Sequence, residues 1–408
     1  QFWSYDTVSG LAKVVLSGKS EWPNLTEANN VYVFYEAWFQ RFSDKVISSK
    51  GNEVTFRCTH EKMKNPKYLK LTPTPVIFFA KRAPYPKGVS ALDALVHVEG
   101  GATVDICNMR LEGVDAGSCI NNKGTLRISY SKVLNCENDG VVSSGSLFVD
   151  HSSFCDITKY AVTSIQNSYT DVQHCTFRHI GMRGSNSACV HSRGNAYVAN
   201  NDFVDFNYCA ISLGYISVDK ESYLPSSIVE NNRISWSKSW GKLMQLYGLC
   251  DGGAIYIATN NKRCILRNNV ILNFGGHGSN RGIYCDDGAY NVTIYGNVIT
   301  GTQNSYDIDS RDCSKNPQRQ RPVGYDVNTY NYIGYNICSG KLNMHGSSAK
   351  KPNNCCFENN VIVGVSDSNE SVVKNNILDK KAILYDRKAK ITRLGKVRLK
   401  ETKSVVGL

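Results

Sequence analysis

The chain has no uninterrupted apolar run of about 18 residues, so no segment reads as a membrane-spanning helix. Its first residues lack the basic-then-apolar pattern of a secretion signal. Stretches with a helical 3.6-residue period are missing between Val96 and Leu378, which argues against helical repeats of the TPR or HEAT kind. The LxxLxL signature of leucine-rich repeats is missing too. A phosphate-binding glycine loop, a GxSxG elbow and an HExxH motif are all lacking, so nucleotide-hydrolysing, serine-hydrolase and zinc-protease functions have no support. The 15 cysteines contain no zinc-type CxxC pair, and an odd number cannot all pair within one chain. Proline is scarce, at 10 of 408 residues, and that favours short regular elements over an extended proline-rich chain.

What is present is a soluble composition with many candidate short strands. Hydrophobic residues make up 41%, glycine is frequent and asparagine abundant. Several cysteines, Cys189, Cys209 and Cys285 among them, lie in strand-like runs and are expected as buried thiols rather than a disulfide framework. The net charge of +12 gathers toward the stretch from Lys380 to Lys403. That stretch reads as a solvated tail, without the interleaved aromatics that single-stranded nucleic acid requires, so no nucleic-acid partner is expected. N-glycosylation sequons stand at Asn24, Asn291 and Asn369.

The organising signal is a repeat that returns at intervals of about 20 to 40 residues. It reads apolar, any, polar, Asn or small polar, any, apolar. Its copies are VDHSSF (149–154), VQHCTF (172–177), VANNDF (198–203), VENNRI (229–234), LRNNVI (266–271), IYGNVI (294–299), IGYNIC (333–338), FENNVI (357–362) and VKNNIL (373–378). Alternation turns one side of a short strand inward, while asparagine tolerates the left-handed backbone of a sharp bend and bonds nearby main chain. Coils stacked about 4.8 Å apart would also let asparagines of successive bends bond one another. The pattern predicts an all-β fold, a right-handed parallel β-helix spanning 86–380. A small β-rich subdomain (1–85) packs on it, built from runs such as Val31–Tyr35 and Val54–Phe56 with Trp22, Trp38 and Phe39, and a basic tail (381–408) follows.

A second strand precedes each bend. Aligning by distance to the asparagine places Val162, Val190, Ile211, Ile255, Ile283 and Ile308 at one inward level, and their successors Thr163, His191, Ser212, Tyr256, Tyr284 and Asp309 outward. Two residues further on, the outward column reads Ile165, Arg193, Gly214, Ala258, Asp286 and Arg311. The small residues one position before the inward level, Ala161, Cys189, Ala210, Ala254 and Gly282, are expected to leave a trough, with Tyr256 and Tyr284 partly exposed in it and Arg311 pairing with Asp286.

The polar residues of that face suggest carbohydrate chemistry. Glycoside hydrolysis needs one acid to protonate the leaving oxygen, a second carboxylate as base or nucleophile, and aromatic rings for sugar packing. The runs DGGAIY (251–256), RGIYCDD (281–287) and YDIDSR (306–311) bring these types to adjacent coils. With the N-terminal strands through Trp38 and Arg41, they resemble the right-handed β-helix glycoside hydrolases of family 141 and their relatives, of the pectin-lyase-like superfold. The resemblance implies two catalytic aspartates, at Asp251 and Asp286, and hydrolysis of a fucosyl or xylosyl linkage in a complex polysaccharide. The alignment itself sets Asp251 about seven strand positions before Asp286, on the order of 20 Å if extended, against the roughly 5 to 10 Å that a working pair needs. Either Asp251 folds back over the trough on a turn, or the pair is drawn from Asp286, Asp287 and Asp309. Tyr256, Tyr284, Arg311, His191, Arg193 and His277 are the candidate substrate-binding residues. No metal or cofactor is expected for a hydrolase. A polysaccharide lyase on the same fold would use a lysine or arginine as base, with calcium held by aspartates. A non-catalytic structural or carbohydrate-binding solenoid is the remaining alternative. The expected partner is an oligo- or polysaccharide, and the expected setting secreted, periplasmic or cell-surface.

Overall fold

A computed structural model describes residues 2–6, 8–15, 31–37, 40–57, 76–79, 93–114, 117–165, 168–181, 187–214, 225–247, 252–258, 260–274, 281–286, 289–301, 304–309, 331–345, 355–362, 364–365, 372–378, 383–386 and 391–394. Three parallel sheets of 11 strands each run along one axis. One coil shows how they are filled: Val141–Ser143 lies in the first face, Ser146–Asp150 in the second and Ser153–Ile157 in the third, and Val162–Ser164 then re-enters the first face one level on. Each strand pairs in parallel with its equivalents one coil before and after. This is the expected parallel β-helix.

Alternation explains which side is filled. In Ser146–Asp150, Leu147 and Val149 are buried between less buried neighbours, and Val172, Val198, Val229, Leu266 and Ile294 occupy the level of Val149 in the following coils. Like side chains therefore stack on like. Phe154, Phe177 and Phe203 form a column with ring centroids 5.0 and 4.8 Å apart, all within 1% exposure.

The bend between the second and third faces divides its work between two adjacent residues. The first takes the left-handed backbone: φ is 59° at Asn200, 56° at Asn231 and Asn268, 57° at Asn359 and 52° at Asn375. His174, His151 and Tyr130 hold the same place with φ of 51°, 45° and 49°. The second asparagine turns inward and builds a ladder. Nδ2 donates to the Oδ1 one coil further on at 2.9–3.0 Å from Asn201 to Asn232, Asn269, Asn297, Asn336, Asn360 and Asn376 in turn. Each Oδ1 also accepts the main-chain N–H of the preceding asparagine. Cys175 and Ser152 extend the column toward the N-terminus with Sγ and Oγ as acceptors. Full pairing is what allows amides to sit in a dry interior.

Among the described residues one short helix interrupts the coils, where the sequence showed no stretch of helical period. Lys238–Tyr247 lies between the third-face strand Arg233–Ser235 and the first-face strand Gly253–Ala258. Ser237 Oγ accepts the Trp240 N–H as its cap, and Trp240 and Met244 are its buried anchors. Two anchors spaced i, i+4 in ten residues are too short a signal to stand out against strand periodicity.

Phe2–Asp6, Leu11–Val15, Glu53–Arg57, Gln40–Lys50, Val31–Ala37 and Val76–Phe79 form a separate antiparallel sheet in that order. Trp22, Trp38 and Phe39 lie outside the described residues. In the basic C-terminal stretch, Ile383–Asp386 pairs antiparallel with Ile391–Leu394. Of the twelve described cysteines, nine are buried, including Cys189, Cys209 and Cys285. Desolvation lifts Cys264, and Cys175 likewise, to a pKa of about 12, so these thiols stay protonated and unreactive.

Candidate functional site

The register of the first face agrees with the sequence alignment through five coils. Val162, Val190, Ile211, Ile255 and Ile283 pair in succession and all belong to the main core. Thr163, His191, Ser212, Tyr256 and Tyr284 form the next column. The sixth coil departs from expectation. Ile283 pairs with Tyr306 rather than Ile308, Tyr284 with Asp307, and Cys285 with Ile308. Alternation fixes which face a residue occupies and says nothing of a shift by two, because Tyr306 and Ile308 are both apolar and of the same parity. The corrected register sets Asp309, not Arg311, at the level beyond Cys285 where Asp286 stands, and pairs Asp309 with His345 on the next coil.

Two further expectations are overturned. Ala161, Cys189, Ala210 and Ala254 do not floor a trough; they are fully buried in the main core beside Val162, Val190, Ile211 and Ile255. The ladder skips Cys189, Ala210 and Ala254 within their strands, so two successive residues face inward and the period of two resumes only afterwards. Tyr256 and Tyr284 are not partly exposed either, each being 1% accessible. The register is not at fault, since Ile255 and Ile283 fill the core. The two rings instead form a second apolar cluster with Ala188, Tyr208, Cys209 and Ala258, against which Tyr160 packs. The glycines of the DGGAIY run make room for it. A Cβ on Gly252 would come 3.1 Å from the Tyr208 ring, and one on Gly253 would come 3.0 Å from the Tyr284 Cβ.

Polar groups are set into this cluster. Tyr256 Oη donates to Asp286 Oδ2 at 2.6 Å, and the carboxylate is 3% exposed. The Asp286 N–H continues the sheet by donating to Ile257 O. The Arg281 guanidinium lies 4.0 Å over the Tyr284 ring. Tyr256 and Tyr284 meet edge to face at 5.3 Å. Two coils nearer the N-terminus, His191 is 6% exposed, with Nδ1 3.1 Å from Ser212 Oγ and its ring 5.2 Å from that of Tyr160. Its Nε2 has no hydrogen-bond partner among the described residues. Burial, reinforced by the nearby Arg193 charge and opposed by the Ser212 bond, lowers the His191 pKa to about 4. Burial, with Asp139 and Cys209 adding to it and Arg193 opposing, raises that of Tyr160 to about 12. Both groups are therefore neutral across the physiological range, able to exchange hydrogen bonds with hydroxyls without carrying charge.

Of the sequence-predicted residues, Asp286, Tyr256, Tyr284 and His191 come together on one face, and Arg193 is exposed on the strand end beside His191. Asp309 lies in the strand Asn304–Asp309 at a neighbouring level. Asp251, Asp287, His277 and Arg311 lie outside the described residues. Arg281, Tyr208, Tyr160 and Ser212 join Asp286, Tyr256, Tyr284 and His191 here without having been among the candidate residues of the sequence. Arg281 opens the same run as Asp286, and Ser212 stands in the aligned outward column, so both carried a signal. Tyr208 and Tyr160 sit at corners where periodicity is silent.

No protein-family model matches the chain, and no curated protein does. Solved structures that are similar include the tailspike protein of E. coli bacteriophage HK620 in complex with a pentasaccharide, at 12% identity and a TM-score of 0.31 over 69% of this chain and 53% of that one. A mannuronic acid specific polysaccharide family 6 lyase from human gut microbiota matches at 13% identity and a TM-score of 0.25, over 68% of this chain and 77% of that one. The tailspike protein of Pseudomonas phage LKA1 matches at 10% identity and a TM-score of 0.21, over 91% of this chain and 61% of that one. The chain spans about half the length of the first of these.

Proposed function

We propose that the protein is a carbohydrate-active β-helix that hydrolyses a glycosidic bond in a complex polysaccharide, as the resemblance to glycoside hydrolase family 141 implies, with Asp286 as one of two working carboxylates. The observation that carries this is the Asp286 carboxylate held by the Tyr256 hydroxyl at 2.6 Å beside the Tyr284 ring that Arg281 covers, with the neutral His191 further along the same face. A fixed carboxylate of this kind suits a nucleophile, a base or a stabiliser of an oxocarbenium-like transition state. Tyrosine faces and neutral hydrogen-bonding groups suit a sugar ring and its hydroxyls. Asp309, one coil on, is the candidate proton donor that the corrected register favours. Asp251 and Asp287 remain candidates from the sequence. Such a substrate places the protein outside the cytoplasm or at a surface, and no described helix is long and apolar enough to cross a membrane.

The test is a polysaccharide panel scored for reducing ends and for unsaturated products absorbing in the ultraviolet. New reducing ends without ultraviolet-absorbing products, lost by at least about 10² in Asp286→Asn, support the proposal. Unsaturated products abolished by a chelator would replace it with a calcium-dependent lyase. Full activity in Asp286→Asn would remove Asp286 from the mechanism.

A further inference from the structure

Away from the first face, two groups of metal-ligating side chains line the outer corners of the coils. Asp150, His151 and His174 form one, and Cys155, Asp156 and His179 the other. The first is better explained without an ion. Both imidazole Nδ1 atoms lie on the Asp150 carboxylate, at 2.8 and 3.0 Å, and the rings stack at 4.7 Å with only 23° between their planes. A ligated metal sits in the plane of each imidazole, and planes this nearly parallel do not meet at bonding distance.

The second group has no such conflict. Asp156 and His179 occupy equivalent left-handed positions on adjacent coils, with φ of 56° and 54°, where the ladder skips one residue on each of the two strands and both bulge outward together. That bulge turns both side chains toward the same outer corner, and Cys155, immediately before Asp156, adds its thiol. Cys155 Sγ lies 3.1 Å from Asp156 Oδ2, and His179 Nδ1 lies 3.2 Å from Asp156 Oδ1. All three donor atoms fall within 4.8 Å of one another. Tetrahedral zinc, with bonds of about 2.3 Å to sulfur and about 2.0–2.2 Å to nitrogen and oxygen, needs donors about 3.3–3.6 Å apart. Movements of a fraction of an ångström to about one ångström would supply that spacing. The His179 ring is already oriented, stacked at 5.5 Å on Trp240, whose Nε1 is anchored to Phe206 O at 2.9 Å.

We propose that Cys155, Asp156 and His179 form a site for a borderline-soft divalent cation such as Zn2+, with a fourth position for water, clipping two successive coils together. One thiolate, one imidazole and one carboxylate suit zinc or cobalt over calcium or magnesium, which prefer all-oxygen donor sets. Binding releases the thiol proton and therefore strengthens as pH rises. The inference is independent of the proposed carbohydrate chemistry, because none of its residues belongs to that face.

The probe is Co2+ titrated into the full chain under reducing conditions, followed by the thiolate-to-cobalt charge-transfer band and by quenching of Trp240. The expected result is one equivalent bound with a thiolate band. Cys155→Ser should lose the band, and His179→Gln should weaken binding by at least about 10-fold, the scale of removing a supporting metal contact. Asp150→Asn should leave binding unchanged. Circular dichroism of each variant checks that the coils are intact, and Asp156→Asn, which keeps its shape, gives a further measure should either of the others misfold. Absence of a thiolate band in the wild-type protein, its persistence in Cys155→Ser, or loss of binding in Asp150→Asn would each overturn the proposal.

Discussion

Two adjacent asparagines that look interchangeable in sequence should differ several-fold in what they contribute. Asn269 is fully buried, and its Oδ1 accepts both the main-chain N–H of Asn232 at 3.1 Å and its Nδ2 at 3.0 Å. Its Nδ2 donates to Val229 O and to Asn297 Oδ1, both at 3.0 Å. Replacing it with alanine leaves two main-chain groups, Asn232 N–H and Val229 O, without these partners in the interior. Asn232 Nδ2 keeps Val198 O, and Asn297 Oδ1 keeps the Asn269 N–H. At about 1–3 kcal/mol for each buried unsatisfied group, Asn269→Ala should destabilise by about 2–6 kcal/mol. Asn268 is exposed with φ of 56°, so its replacement by glycine, which adopts that backbone readily, should stay within about 0.5 kcal/mol.

The assay is chemical denaturation of both variants, compared at the midpoint, since a stacked solenoid unfolds in neighbour-coupled units and need not be two-state. A loss of less than about 1 kcal/mol for Asn269→Ala, or equal losses for the two variants, would refute the division of labour between bend and ladder.

Phe177→Ala removes the middle ring of the Phe154–Phe177–Phe203 column and should cost about 3–5 kcal/mol, readable in the same denaturation assay. Glu230 is held below its ordinary pKa of 4.5 chiefly by the Arg267 hydrogen bond, with burial opposing and Tyr197 assisting. Its stabilisation is thus present above that value and lost as pH falls through the depressed one, so Glu230→Gln should be less stable than wild type at pH 7 and the gap should close in acid. His191, with a pKa lowered to about 4 by burial, binds its proton more weakly when folded, so wild-type stability should fall as pH drops from about 6.5 to about 4 and level out below. His191→Gln should flatten that slope, which denaturation midpoints across the range would check.

The coil architecture was legible because it is written many times over. Any single copy of the bend pattern, such as VENNRI, is a weak signal, but the copies from Val149 to Leu378 reinforce one another, and each residue has a physical task repeated at every level. What the pattern did not reveal was that the task is split, with Asn231 making the bend and Asn232 the ladder. Where asparagine is absent the sequence is harder to read. Cys175 and Ser152 stand in the ladder column, yet neither residue type announces a bend. The helix Lys238–Tyr247 was illegible for the opposite reason, since among the described residues no other coil carries one and repetition cannot support it.

The site was legible in face and not in level, and the distinction has a chemical consequence. A slip of one residue would have sent Tyr256 and Tyr284 into the core in place of Ile255 and Ile283, and the pattern forbids it. A slip of two costs the pattern nothing, so the sixth coil was misplaced by that amount. With Arg311 at the level of Asp286, the carboxylate would face a cation. With Asp309 there, the next strand level instead carries a second carboxylic acid. Adjacent parallel strands lie about 4.8 Å apart, close to the roughly 5–5.5 Å that separates the carboxyl groups of a retaining glycosidase and short of the roughly 6.5–9.5 Å of an inverting one. If Asp286 and Asp309 are the working pair, hydrolysis should proceed with retention, which proton NMR of the first-formed anomer reads directly. An inverted product would exclude this pair and return the second carboxylate to Asp251 or Asp287.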